Sequence, residues 1–286
     1  MSTFAAKTLE LTVTLGEGEF GATAGATVTL SGLRMTADVA NPGGESMGAL
    51  QMRVWGMDQE MMNRLTTIGQ VNRAIRTKNS VLLAAGDLGG GLNAVFQGTI
   101  FDAWADYNSA PDVAFNIIAY AGLDAAVTPV DALSFKGAAD VAQIMSTIAG
   151  SMGLAFENNG VLVQLSNPYF PGTSLMQVKA CARAANIRYV IDRGTLAIWP
   201  KDGGRAGTVP LIASDSGMVG YPSLSSKGMT VRTVFNPDII FGGDVQVQSD
   251  IPMACGQFRV FNLAHSLACL MPSGPWFTTL ECYNVQ

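Results

Sequence analysis

The chain has 286 residues, 48% of them hydrophobic and 14% charged, with 17 basic and 22 acidic residues and a net charge of −5. That much apolar material excludes a disordered chain, and the acidic balance leaves no electrostatic footprint for a phosphate backbone. No stretch is apolar for the roughly 20 residues that span a bilayer, Val113–Leu123 being interrupted by Asn116, and Met1–Phe20 lacks the apolar core of a secretory signal.

An average soluble domain is about a quarter charged. A folded chain with far fewer charges carries either an uncharged polar surface or a surface covered by other subunits. The second is the expectation for this chain.

The first segment reads as antiparallel β. Leu9, Leu11, Val13 and Leu15 alternate with Thr8, Glu10, Thr12 and Thr14, the period of a half-buried strand. Val28 and Leu30 repeat the pattern within Ala26–Leu30, and Leu50, Met52 and Val54 do so between Gln51, Arg53 and Trp55. Asp58 is placed to cap a short helix ending near Leu65, with Glu60 in its first turn. Met57, Met61 and Met62 read as core filler or as an adaptable interface. The one basic run, Arg73, Arg76 and Lys78, reads as a solvated loop or a subunit contact. Strands are expected at about Ser80–Ala85, Ala94–Phe101 and Val113–Tyr120, with Gly86–Gly91 as a loop between two of them.

The middle changes period. Val141, Ile144, Met145, Ile148, Ala149 and Met152 recur at helical spacing and stop at Gly153. Leu154–Glu157, the turn Asn158-Asn159-Gly160 and Val161–Leu165 read as a hairpin. A second helix, capped by Thr173 or Ser174, turns Leu175, Val178, Ala182 and Ala185 inward, and Ile187–Ile191, Asp192-Arg193-Gly194 and Thr195–Trp199 read as a second hairpin. A helix–hairpin unit is thus expected twice. Two copies are too few for a solenoid, so a compact α/β domain is expected.

Lys201–Ala206 reads as a Gly-rich linker, after which β periodicity returns. Met229, Val231, Thr233 and Phe235 alternate, as do Val245 and Val247, and Phe258–Leu270 pairs with Trp276–Val285 across Met271–Pro275. The fold class is therefore α+β. A first β-domain (1–130) and a second (205–286) flank a small α/β domain (131–204). The two β parts are either separate barrels or one sandwich closed around the insert. Cys269 and Cys282 flank the last turn and are placed to face each other, although free thiols are the default for a reducing compartment.

Little of this is chemistry. A Ser–His–Asp or Cys–His mechanism has only His265 to use, and it lies in an alternating strand where a structural role is the stronger reading. Asp102, Asp106 and Glu281 are the carboxylates that a glycoside hydrolase would use, and they read as solvated strand-end acids. Gly86–Gly91 lacks the phosphate-loop pattern and precedes a strand where a helix is needed. The four cysteines include no Cys-x-x-Cys pair, so no zinc spacing exists. Catalytic, cofactor-binding and metal-binding residues are expected to be none, and no cofactor is expected.

Three segments in order resemble the baseplate or tail-tip hub proteins of Mu-like and related tailed bacteriophages. They are VLLAAGD with a Gly-rich loop and AVFQGTIFDAWADYNSAPDVAFNIIAYAGL (80–123), the double helix–hairpin region 137–199, and FNPDIIFGGDVQVQSDIP (235–252) with the final hairpin FRVFNLAHSLACLMPSGPWFTTLECYNV. The resemblance implies two tail-tube-like β-domains, antiparallel barrels or sandwiches, around the α/β insert. It implies a non-enzymatic homotrimer whose six tube-like domains form a ring. That ring joins the tail tube or a distal tail protein to a threefold spike or central fibre. DNA passes through it without specific binding, and the site of action is the virion tail, assembled in the host cytoplasm. The chain has no segment left for a fused peptidoglycan hydrolase and lacks the larger insertions of contractile-tail hubs. Two other readings compete. One is another tube-fold component, such as a distal tail or tube-initiator protein. The other is a carbohydrate-active enzyme or binding module on a β scaffold.

Overall fold

The computed structural model describes residues 5–20, 25–43, 45–67 and 79–285. The basic run Arg73, Arg76 and Lys78 lies outside them. In the first segment β1 (Lys7–Thr14), β2 (Thr27–Leu30), β3 (Arg34–Asn41), β4 (Ala49–Trp55), β5 (Ser80–Asp87), β6 (Leu92–Asp106) and β7 (Ala114–Tyr120) pair antiparallel. Period-two alternation sends Leu9, Leu11, Val13, Leu50, Val54, Leu83 and Phe115 into one core. The opposite face carries threonines, among them Thr12 and Thr29, whose hydroxyls meet at 3.0 Å across β1 and β2. Helix α1 (Gln59–Leu65) starts at Asp58, whose carboxylate accepts from the Glu60 amide at 3.0 Å. Met57 and Met62 are buried in this core and Met61 packs against it.

After the short helix α2 (Leu123–Val127), the insert contains β8 (Leu133–Ser134), β9 (Ala138–Asp140), α3 (Val141–Ser151), β10 (Ala155–Asn158), β11 (Gln164–Ser166), β12 (Tyr169–Phe170), α4 (Ser174–Ala185), β13 (Ile187–Asp192) and β14 (Thr195–Pro200). Both long helices sit where the apolar spacing puts them. Asp140 caps α3, accepting from Ala142 at 3.1 Å, and Thr173 caps α4. The second hairpin forms as β13–β14, with Arg193 (φ +47°) and Gly194 (φ +76°) in the left-handed turn that a two-residue connection needs.

The first hairpin does not form. The turn at Asn158–Gly160 exists, and the Asn158 amide bridges the Val161 N–H at 2.8 Å and its carbonyl at 3.1 Å. Its two arms, however, pair elsewhere. β10 lies parallel to β14, and β11 pairs antiparallel with β9. The duplicated helix–hairpin unit is thus corrected to one hairpin and one crossover. The physical reason is that β14 buries Leu196 and Ile198 in the insert core, so its free edge is the more favourable partner for β10.

The last segment supplies β15 (Leu211–Ile212), β16 (Ser223–Ser225), β17 (Gly228–Val234), β18 (Asp244–Val247), β19 (Gly256–Cys269) and β20 (Trp276–Asn284). One 13-stranded sheet holds the strands of both β segments, in the order β16-β17-β20-β19-β3-β4-β7-β6-β5-β1-β2, with β15 and β18 branching from β19. The join is β19. Its N-terminal half pairs with β18 (Val247 opposite Gly256, Asp244 opposite Arg259), and its C-terminal half pairs with β3 (Leu263 opposite Asn41, Cys269 opposite Met35). A bulge at Phe261 separates the halves and allows one strand to bend between two units. Leu267, Cys269 and Trp276 accordingly complete the core of the first segment, whereas Phe258, Val260, Leu263 and Leu280 build a separate core with Ile212, Val231 and Val245. This register also separates two cysteines, because Cys282 lies opposite Val260 and Met229 while Cys269 lies opposite Met35. All four cysteines are free thiols.

Candidate assembly interface

Among the described residues the main strand path ends in two open edges, β2 and β16, where nothing pairs with the outer side, and the two-residue branch strand β15 also pairs on one side only. Beyond β16 its edge continues backwards, since Val219 donates to the Arg232 carbonyl at 2.8 Å and Val234 to Gly217 at 2.8 Å. Edge strands usually carry charges that deter pairing, and these do not. No charged residue occurs between Glu19 and Arg34 or between Asp215 and Lys227. Val219, Tyr221 and Leu224 are exposed along the second edge. The long, sparsely charged stretch Phe258–Leu270 is not such an edge. That strand is β19, which is interior and paired on both sides, so the low charge there reflects burial within the chain.

The carboxylates do not converge. Asp102 accepts a hydrogen bond from the Thr67 hydroxyl, and Asp106 caps a single turn through the Asn108 amide at 3.0 Å. Glu281 sits on β20, well removed from β6 in the strand order of the sheet. A hydrolase needs its two carboxylates on either side of one bond, and these are held apart. His265 is buried and its Nδ1 lies 2.9 Å from the Thr278 hydroxyl, with the Phe235 ring edge-to-face at 5.3 Å. Burial, reinforced by nearby Arg193 and only partly opposed by Asp192, pushes its pKa down to about 4. It is a neutral packing group. The Gly86–Gly91 loop connects β5 to β6 and borders an open cleft of about 390 Å³, with Asn93, Phe235, Asn236 and Asp238 on its walls. No group of three or more His, Cys, Asp or Glu able to hold a metal occurs among the described residues.

The junction between the insert and the last segment is not legible in the sequence. Arg205, in the stretch read as a linker, has a buried side chain. It donates to Glu157 at 2.9 Å and Asp192 at 2.9 Å, while its own amide donates to the Gly242 carbonyl at 2.8 Å. Burial raises the Glu157 carboxyl, but hydrogen bonds from Arg205 and Asn159 outweigh it and hold the group below its usual range. Arg183 adds a bidentate pair with Glu45 at 2.7 Å that ties α4 to the β3–β4 loop. A lone Arg in a Gly-rich stretch gives no sign of these partners.

The described residues thus form one continuous β sheet carrying an α/β insert. The chain is similar to the 43 kDa tail protein of prophage MuSo2 from Shewanella oneidensis, with 10% identity and a TM-score of 0.63 over 98% of this chain and 97% of that one. It is similar in the same way to a tail protein of Neisseria meningitidis MC58, with 10% identity and a TM-score of 0.62 over 96% of each chain. A third relative in fold is the c3393 protein of E. coli (11% identity, TM-score 0.58, 88% of this chain and 74% of that one). It is a component of the type VI secretion system with structural similarity to the T4 bacteriophage tail proteins gp27 and gp5. At such identities the likeness concerns the fold. No curated protein matches the chain in sequence. The profile of the baseplate hub gp41 family matches residues 9–282, and the chain belongs to that family. Family and fold are those of structural components of the phage tail.

Proposed function

We propose that three copies of this chain form a ring at the tail tip, to which each copy contributes two β units. The ring joins the sixfold tail tube, or a distal tail protein, to a threefold spike or central fibre and encloses the path of the DNA. The observation that carries this reading is the fusion of two β units through β19 into one sheet whose main strand path has an open edge at either end. A tube component of sixfold symmetry needs one such unit per chain; a chain with two units makes six positions from three copies. The division into 1–130, 131–204 and 205–286 belongs to this proposal and is supported by three large apolar cores, each drawn mainly from one segment; Leu267, Cys269 and Trp276 join the first, and a small fourth cluster of Val190, Ala197, Trp199 and Phe241 bridges the last two. The net charge of −5 suits a passage that DNA crosses without adhering. The alternative of a carbohydrate-active enzyme finds no support in the placement of Asp102, Asp106 and Glu281.

Imaging of isolated tail tips at domain resolution tests the proposal. Six β units around the axis, alternating in identity and drawn from three chains, are expected. Six copies in a ring along the tube, or absence of the chain from the tip, contradicts it.

A further inference from the structure

We infer that the two open edges are made for each other, so that β2 of one copy pairs antiparallel with β16 of the next. The inference rests on the ring reading above and assigns its subunit contact. Aligning Thr27 with Ser225 places Val28 opposite Leu224 and Thr29 opposite Ser223, so hydroxyl faces hydroxyl and apolar faces apolar at each position.

Burial follows the same alternation. Along β2, Thr27 and Thr29 are exposed, whereas Val28 and Leu30 are half-buried at the margin of the first core. Along β16, Leu224 stands beside buried Met229 on the core side, and Ser223 stands beside Thr230 on the other face. Leu224 is 48% exposed and is the cross-strand neighbour of Met229, a residue of the last core. In this register it covers Val28, joining the apolar faces of the two edge strands. A register shifted by one residue would set Leu224 against a threonine and Val28 against a serine.

Charge agrees with this direction of pairing. Antiparallel alignment carries Lys227, just beyond β16, towards the β1–β2 turn, where Phe20 bonds Gly25 and Glu19 is exposed. Parallel alignment would carry Lys227 past Leu30, towards Arg34. Both edges lie in stretches without charge, so pairing desolvates none. Because the edges differ, the contact is head-to-tail, the kind of interface that closes a ring when its rotation allows. A second copy is the occupant that satisfies both edges at once.

The test uses virions assembled with variant chains in a Cys255→Ser background, which removes the one exposed thiol. Thr29→Cys combined with Ser223→Cys places two cysteines directly across the proposed pair, within disulfide reach after mild oxidation. Reducible covalent dimers and trimers, with nothing larger, are expected, while each single substitution gives monomer only. Monomer alone from the double variant, in tips that still hold three copies, overturns the edge pairing and leaves the ring reading intact; six copies per tip would instead overturn the ring reading. A second variant guards against a folding defect. Leu224→Lys, on an exposed edge, should melt within about 2 °C of the parent yet enter virions at least tenfold less often. Incorporation equal to that of the parent overturns the proposal.

Discussion

His265 and Thr278 face each other in register across β19 and β20, with the imidazole Nδ1 2.9 Å from the threonine hydroxyl. The pair sits where the C-terminal half of β19 leaves the last segment and enters the first, and Val39 of β3 lies on its other side. A neutral ring packs well there and a charged one does not.

That arrangement makes stability depend on pH. The folded pKa of about 4 lies below the ordinary 6.5, so the unfolded chain takes up the proton first. The contribution is complete above about pH 6.5, declines as the pH falls towards 4, and is lost below that. At ~1.4 kcal/mol per pH unit it amounts to roughly 3 kcal/mol. His265→Gln should therefore lose several degrees less in melting temperature between pH 7 and pH 4.5 than the parent does. Carboxylates titrate in both proteins and cancel in the comparison. Identical pH profiles would show that His265 is not the group responsible.

Arg205 holds the insert to the last segment. Its side chain is 7% exposed and its guanidinium satisfies Glu157 and Asp192 together. Arg205→Ala removes the forked partner of two carboxylates, leaving Asp192 with Arg193 and Glu157 with Asn159, and should cost about 2–3 kcal/mol in urea unfolding. Arg205→Lys should recover only part of this, because an ammonium cannot make the forked contacts. A loss under 1 kcal/mol for the alanine variant would show that the network is solvated.

Gly242 and Gly160 both have left-handed backbone, with φ of +79° and +88°. A Cβ at Gly242 would lie 2.7 Å from the Trp199 ring, whereas one at Gly160 meets nothing within 4 Å. Gly160→Ala should cost about 1 kcal/mol of backbone strain. Gly242→Ala should cost at least about 2 kcal/mol, because Trp199 must also move. Equal losses would mean that the ring yields freely.

The thiols should behave as four separate groups. Cys255 is exposed, while Cys181, Cys269 and Cys282 are buried. Burial alone pushes Cys181 and Cys282 up to about 12. A thiol reagent should label one equivalent rapidly in the native protein and four after denaturation, and a reductant should leave the melting temperature unchanged. A reductant-sensitive melt would reveal a disulfide that the β19–β20 register forbids.

Much of this fold is written in local periodicity. The alternation in β1, β4 and β17, the spacing of α3 and α4, and the turn at Arg193-Gly194 are all legible in the residue pattern. β3 is not. Its inward residues Met35, Ala37 and Val39 alternate with Thr36, Asp38 and Ala40, and two small alanines with a charge in the middle weaken the apolar signal. Yet β3 is the strand that links the two segments. The first insert hairpin fails for a different reason. The local turn chemistry at Asn158–Gly160 is legible, but strand pairing is decided by which free edge buries more, and that information lies about 40 residues away at β14. The assembly edges are least legible, because an edge is defined by a missing neighbour. The uncharged stretches around β2 and β16 are in the sequence, but only the order of strands shows that they end the sheet.

The central claim is that three chains supply six β units. Counting copies of this chain per virion by quantitative mass spectrometry, against a component of known stoichiometry, tests it directly. Three copies per tail are predicted; six copies, or a number that scales with tail length, would contradict the account.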